Sequence, residues 1–313
     1  VTMDFLRPGD WREALALRAE RPGALPIAGG TDVMVEINHG GRRPEALLDL
    51  SGITELHAVE REPADGGTPG APAGRVRLGA AVPYTRVVAE LGAELPGLAL
   101  AARTVGSPQI RNRGSVGGNL GAASPAGDCH PALLASGAEV EAVSVRGTRH
   151  IPVDDFYLGV KRNALAPDEL IRSVRVPRAT GPQQFSKVGP RNAMVIAVCA
   201  VAVALHPGRG GVRVGIGSAA PTPVRAREAE EHIAGVLADG DLWERRDPIP
   251  PAAARRFAEL VAAACSPIDD VRGTAAYRRH AVAVMARRTL GWCWEAHRAG
   301  ASGPRPEGGA PCA

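Results

Sequence analysis

The chain has 313 residues, long enough for two domains with substantial cores, and its 45% hydrophobic and 22% charged content excludes wholesale disorder. Lysine and arginine number 37 against 33 acidic residues, a net charge of +4. All basic residues except Lys161 and Lys187 are arginines, and they form no stripe. With aromatics at only 4%, no nucleic-acid partner is expected.

In chain order, Asp10 caps a first helix whose apolar face is Trp11, Ala14, Leu15 and Leu17. Leu25 to Ala28 reads as a short strand running into Gly29-Gly30-Thr31-Asp32. Val33 to Ile37 alternates weakly, and Ala46 to Leu50 reads as a buried strand. Residues 61–74, rich in proline and glycine, predict an exposed loop. Val76 to Ala80 predicts a strand, and Thr85–Leu91 and Leu98–Thr104 predict helices. A glycine-dense stretch from Gly106 to Gly127 follows, then an apolar helix around Ala132–Ala135 and strands at Val140–Val145 and Leu170–Val176. Arg178 to Pro182 reads as a linker. Val195–Leu205 and Val212–Ile216 predict two antiparallel strands joined by a loop. Helices are expected at about 224–238, 251–264 and 274–297, and 298–313 has the composition of a disordered tail.

The first residues carry no basic segment followed by an apolar core, so no secretory leader is expected. The longest apolar run, Ala193 to Leu205, is 13 residues and too short to span a bilayer. Five scattered cysteines without a C-x-x-C pair predict reduced thiols in a cytoplasmic protein, and no zinc or iron–sulfur site on this chain. His130, beside Asp128 and Cys129, lacks a second ligand cluster.

Two glycine loops carry the chemistry. Pro26-Ile27-Ala28-Gly29-Gly30-Thr31-Asp32-Val33 ends a strand in residues without side-chain bulk, so successive backbone N–H groups can close on an anion. Alone, it reads first as a tight turn. Six glycines lie between 106 and 127, more than twice the chain's average density. Within that stretch Ser115, Gly117, Gly118 and Asn119 can wrap a phosphorylated ligand, and Asp128 can accept from sugar hydroxyls. Neither loop has the spacing of a dinucleotide G-x-G-x-x-G or of a P-loop.

A-G-G-T-D at 28–32, Q-I-R-N-x-G-S-x-G-G-N at 109–119 and S-P-x-x-D at 124–128 together resemble the FAD-binding medium subunit of the molybdenum hydroxylases. That family includes xanthine dehydrogenases and aerobic carbon monoxide dehydrogenases. Val271 to Ala281 and Arg287 to Leu290 extend the resemblance to nearly the whole chain. It implies an α+β protein: a PCMH-type FAD-binding domain over 1–178, built of two α/β subdomains at about 1–60 and 75–178, then an α+β flavoprotein C-terminal domain over 183–297.

For the site, the resemblance implies that Pro26 to Val33 hold the FAD diphosphate and that Ser115, Val116, Gly117, Gly118 and Asn119 form a second cofactor loop. It places Val105, Ser124, Asp128, Ile171 and Lys187 at the cofactor as well, and the rarity of lysine in this arginine-rich chain also points to a specific role for Lys187. Val105 departs from the bulkier residue common there. Arg111 and Arg113 are candidates for neutralising phosphate or for ordinary surface positions. Met194 and Ile196 read as core residues, although the resemblance sets Ile196 near the flavin face, with room for a nicotinamide.

The implied partners are a large molybdenum-cofactor subunit and a small subunit with two [2Fe–2S] clusters, in a dimer of heterotrimers. NAD⁺ is a candidate acceptor. The implied function is electron transfer within a xanthine dehydrogenase-like enzyme, without an acid–base dyad or nucleophile on this chain. Alternatives are a carbon monoxide dehydrogenase-type medium subunit, a stand-alone PCMH-type flavin oxidase or reductase, and a non-catalytic nucleotide-binding subunit.

Overall fold

The computed structural model describes residues 3–64 and 74–300. The chain opens with β1 (Asp4–Leu6), α1 (Trp11–Glu20), β2 (Leu25–Ile27), α2 (Val33–Asn38) and β3 (Ala46–Asp49). The three strands form a parallel sheet in the order β1-β3-β2. Asp10 caps α1 by accepting from the Glu13 N–H at 2.8 Å, and Trp11 and Ala14 are buried beneath it.

A second sheet follows, built from β4 (Val59–Glu62), β5 (Arg75–Gly79), β6 (Glu139–Ser144), β7 (Gly147–Pro152) and β10 (Leu170–Pro177), paired antiparallel as β4-β5-β10-β6-β7. Between β5 and β6 run five helices: α3 (Tyr84–Glu90), α4 (Pro96–Arg103), α5 (Pro108–Arg113), α6 (Val116–Ala122) and α7 (Cys129–Ser136). Between β7 and β10 lie the short α8 (Val153–Phe156) and a small hairpin of β8 (Tyr157–Gly159) and β9 (Arg162–Asn163).

The third sheet is antiparallel, β11 (Gln183–Val188), β12 (Cys199–His206), β13 (Gly211–Gly217) and β14 (Val224–Arg225), followed by α9 (Arg227–Asp239), α10 (Leu242–Arg245), α11 (Pro251–Ala263) and α12 (Ala275–Arg298). Every residue of β12 is buried, because both its faces are covered. Ala202 and Ala204 join the first hydrophobic core, while Cys199, Val201, Val203 and Leu205 join the second with α9, α11 and α12. The period-two alternation thus puts small side chains toward α4 and α7 and bulky ones toward the C-terminal helices. On β13 the approach is closer still: a Cβ on Gly215 would lie 2.1 Å from the Pro131 carbonyl oxygen of α7.

Four expectations need correction. The weakly alternating Val33–Ile37 is helical, because the Met34 and Glu36 N–H groups bond back to Gly30 and Asp32 carbonyls and the segment has no strand partner. The glycine-dense stretch is not loop throughout; Ser107 and Ser115 cap α5 and α6, accepting from the N–H of Ile110 (3.3 Å) and Gly118 (3.0 Å). Of the expected loop at 61–74, Arg61 and Glu62 belong to β4, and residues 65–73 lie outside the described residues. The expected tail begins within α12, and its residues 301–313 also lie outside them.

Candidate functional site

The two glycine loops line one cavity of about 670 Å³, within the roughly 300–1,000 Å³ typical of cofactor pockets. The first loop leaves β2 and turns through Gly30, whose φ of +73° suits glycine. A Cβ on Gly29 would sit 1.9 Å from the Arg113 carbonyl oxygen, so this loop lies directly on the end of α5. Among the described residues, none of the backbone N–H groups from Gly29 to Asp32 has a hydrogen-bond acceptor. The second loop opens α6, with Gly117 packed on the Ala80 backbone, where a Cβ would be 2.5 Å from the carbonyl oxygen. The Gly117 N–H is likewise unengaged among the described residues, whereas Val116 follows the antiparallel bridge that pairs Ser115 with Pro83. Free donors gathered on one cavity wall suit a diphosphate.

Pro26 through Val33, Val105, Ser115, Gly117, Gly118, Asn119, Ser124, Asp128 and Ile171 all line this cavity. Two expected site residues do not. Val116 turns its side chain into the first core at 3% exposure. Lys187 stands behind Asp128, its Nζ 2.6 Å from Asp128 Oδ2 and 3.1 Å from the Thr104 carbonyl oxygen. Arg111 is occupied by the Val105 and Gly106 carbonyls at 2.9 and 3.0 Å, and it braces the loop instead of lining the cavity.

Asn119 Oδ1 and Asp128 Oδ1 are buried oxygens with no donor, and both residues line the cavity. Buried acceptors without partners are costly, so a ligand rich in hydroxyl or amide donors fits them. Burial pushes the Asp128 carboxyl upward, and Lys187 and the Thr104 hydroxyl pull it back down. Burial also raises Asp32, with Glu36 adding to the rise and Lys161 opposing it.

Several wall residues escaped the sequence analysis. Tyr84 is fully buried at the back of the cavity, its hydroxyl pushed well up by burial. Lys161 and Glu36 form an ion pair that ties the β8–β9 hairpin to α2 beside the cavity. The rarity of lysine that singled out Lys187 applies equally to Lys161. Met194 and Ile196, expected in the core, are 57% and 51% exposed and sit on the cavity's edge. The run they belong to becomes a strand only at Cys199, and Met194 adopts a left-handed φ of 50°. His130 is a core histidine: its Nδ1 is 2.7 Å from the Tyr157 hydroxyl, and burial lowers its pKa to about 3, so it stays neutral. Among the described residues no group of three or more His, Cys, Asp and Glu side chains is placed to hold a metal ion.

Cavity, loops and unpartnered oxygens together fit a ligand that carries a diphosphate and many hydroxyl or amide donors, in a protein of α+β construction. The family model of the FAD binding domain in molybdopterin dehydrogenase matches residues 1–179, and that of the CO dehydrogenase flavoprotein C-terminal domain matches 184–293. The xanthine dehydrogenase FAD-binding subunit of Escherichia coli O157:H7 is 28% identical over 298 residues, covering 91% of this chain and 94% of the relative. The nicotinate dehydrogenase FAD-subunit of Eubacterium barkeri is 31% identical over 259 residues, covering 79% and 84%. In structure, a chain of the reconstituted CO dehydrogenase from Oligotropha carboxidovorans superposes with a TM-score of 0.83 at 27% identity, covering 94% of this chain and 98% of that one. The chain belongs to the FAD-binding medium subunits of the molybdenum hydroxylase family.

Proposed function

We propose that this chain is the electron-handling subunit of a xanthine dehydrogenase-like molybdenum hydroxylase. Its partners are a large molybdenum-cofactor subunit and a small subunit with two [2Fe–2S] clusters, and the acceptor is NAD⁺ or another oxidant such as oxygen or a quinone. FAD held in this cavity would supply the redox chemistry, and the chain would supply its binding and orientation. The observation that carries the reading is the cavity itself: free N–H groups on two glycine loops and two orphaned acceptors, Asn119 Oδ1 and Asp128 Oδ1, in residues of one wall.

In this reading Gly29 to Asp32 and Gly117 hold the diphosphate through backbone N–H groups. Asn119 and Asp128 accept from the sugar and ribityl hydroxyls, and Val105 and Ile171 supply apolar wall. Ile196, aliphatic and half exposed at the edge, leaves a face open to a planar acceptor such as nicotinamide. The four described cysteines are all buried and free, and none stands in a metal-ligand cluster. No helix of the described residues is long and apolar enough to cross a membrane, in keeping with a cytoplasmic assembly. The structural similarity to a CO dehydrogenase favours a second reading, a medium subunit of that enzyme.

Purification of the assembled complex from the native source tests this. A large molybdenum subunit and a small iron–sulfur subunit should copurify, as a dimer of heterotrimers by light scattering, and the complex should reduce NAD⁺ with a purine substrate. Oxidation of carbon monoxide in its place supports the second reading. A monomeric flavoenzyme with its own turnover overturns both.

A further inference from the structure

The buried pair of Lys187 and Asp128 crosses between the two family-model spans, and its arrangement suggests more than an ion pair. Lys187 lies on β11 of the third sheet, whereas Asp128 begins α7 and Thr104 follows α4. The lysine and aspartate side chains are 8% and 7% exposed. Asp128 Oδ2 receives both Lys187 Nζ at 2.6 Å and Thr104 Oγ1 at 3.1 Å, while Lys187 also donates to the Thr104 carbonyl. Two donors on one oxygen fix the rotation of the carboxylate. The other oxygen, Oδ1, is left buried and without a partner in a residue of the cavity wall. Lys187 itself has no part in that wall.

We propose that Lys187 is a positioning residue that acts on the cofactor through Asp128, holding its Oδ1 as a fixed, charged acceptor, and thereby makes FAD binding depend on the seating of the C-terminal sheet. This rests on the FAD site described above. The alternative is direct contact between Lys187 and the cofactor. The groups facing Asp128 are Lys187 from β11, Thr104 from the end of α4, Cys129 at the start of α7 and Tyr84 from α3. Cys129 and Tyr84 are both held neutral by burial, and neighbouring His130 is neutral too. Lys187 is therefore the one cation on Asp128 among the described residues, and without it burial drives the carboxyl toward its protonated form.

The test uses the full chain, stripped of FAD and titrated with it by fluorescence between pH 6 and 9. Lys187→Met should weaken FAD binding about 10- to 100-fold at pH 7, the scale of one hydrogen bond to a charged group. It should regain affinity as the pH rises and Asp128 ionises, a dependence absent from the native chain. Asp128→Asn should lose a similar factor with no such pH dependence. The double variant, which removes both charges and so leaves no buried ion unpaired, should bind no more weakly than Asp128→Asn. Lys187→Arg should retain most of the affinity. If the double variant binds about tenfold or more weakly than Asp128→Asn, Lys187 touches the cofactor directly and the proposal is overturned. A Lys187→Met chain that binds FAD normally at pH 7 also overturns it. If Lys187→Met does not fold, the comparison of Asp128→Asn with the double variant decides alone. Retention of FAD by the native chain stands under every one of these results, so the FAD reading is judged separately.

Discussion

Gly29→Val is expected to leave a chain that retains no FAD and is less stable by about 3 kcal/mol or more. The reason is local and geometric. A Cβ at this position would lie 1.9 Å from the carbonyl oxygen and 2.5 Å from the carbonyl carbon of Arg113, both backbone atoms at the end of α5. Nothing there is a flexible side-chain tip that can swing aside. The first glycine loop has to lift off α5, and the spacing of its N–H groups from those of α6 changes with it. Gly30→Val fails for a different reason, the left-handed φ of +73°, at a cost of about 1–2 kcal/mol. Gly118→Ala should be the mild control, since the nearest atom to a Cβ there is Ser115 Oγ at 3.2 Å. Flavin content and thermal midpoint of the three variants check the order. Equal retention of FAD by Gly29→Val and Gly118→Ala would refute the close packing of loop on helix.

Asp154→Ala is expected to destabilise the chain by about 3–5 kcal/mol and to loosen the third sheet from the second. Asp154, on α8, accepts from Arg213 at 2.9 Å and from Arg225 and Arg227 at 3.0 Å each. Its partners are not equivalent. Arg227 is 64% exposed and loses little, and Arg225 keeps Glu230. Arg213 is 20% exposed, has a buried Nε without an acceptor and has its pKa lowered by burial, and among the described residues Asp154 is the one carboxylate paired with it. Removing that partner strands a cation between the sheets. Arg227→Ala, by comparison, should cost less than about 1 kcal/mol. Urea unfolding of the two variants measures the contrast; similar midpoints would mean that the cluster is decorative.

Much of this frame was legible in the residues. The apolar run that becomes β12 and the amphipathic patterns of α9, α11 and α12 carry their own periodicity. The glycine loops were legible because their spacing is specific, and most of the proposed contact residues do line one cavity. What failed to show follows from physics that a linear pattern does not encode. Helix α2 has exposed Met34 and Val35 and no buried face, so no helical periodicity announces it. Short α5 and α6 are set by serine caps acting over three residues within glycine-rich sequence. Lys187 marks the same lesson for the site: its rarity signalled a specific role, but only the fold shows that Asp128 stands between it and the cavity. Met194 and Ile196 are apolar by composition and exposed by position, because the strand they appeared to begin starts three residues after Ile196.

The most direct measurement is the flavin content of the purified full chain before and after denaturation. The account predicts a yellow protein that releases one FAD per chain into solution when unfolded. A colourless chain that takes up no FAD on titration, or a flavin that stays attached to the denatured protein, would contradict it.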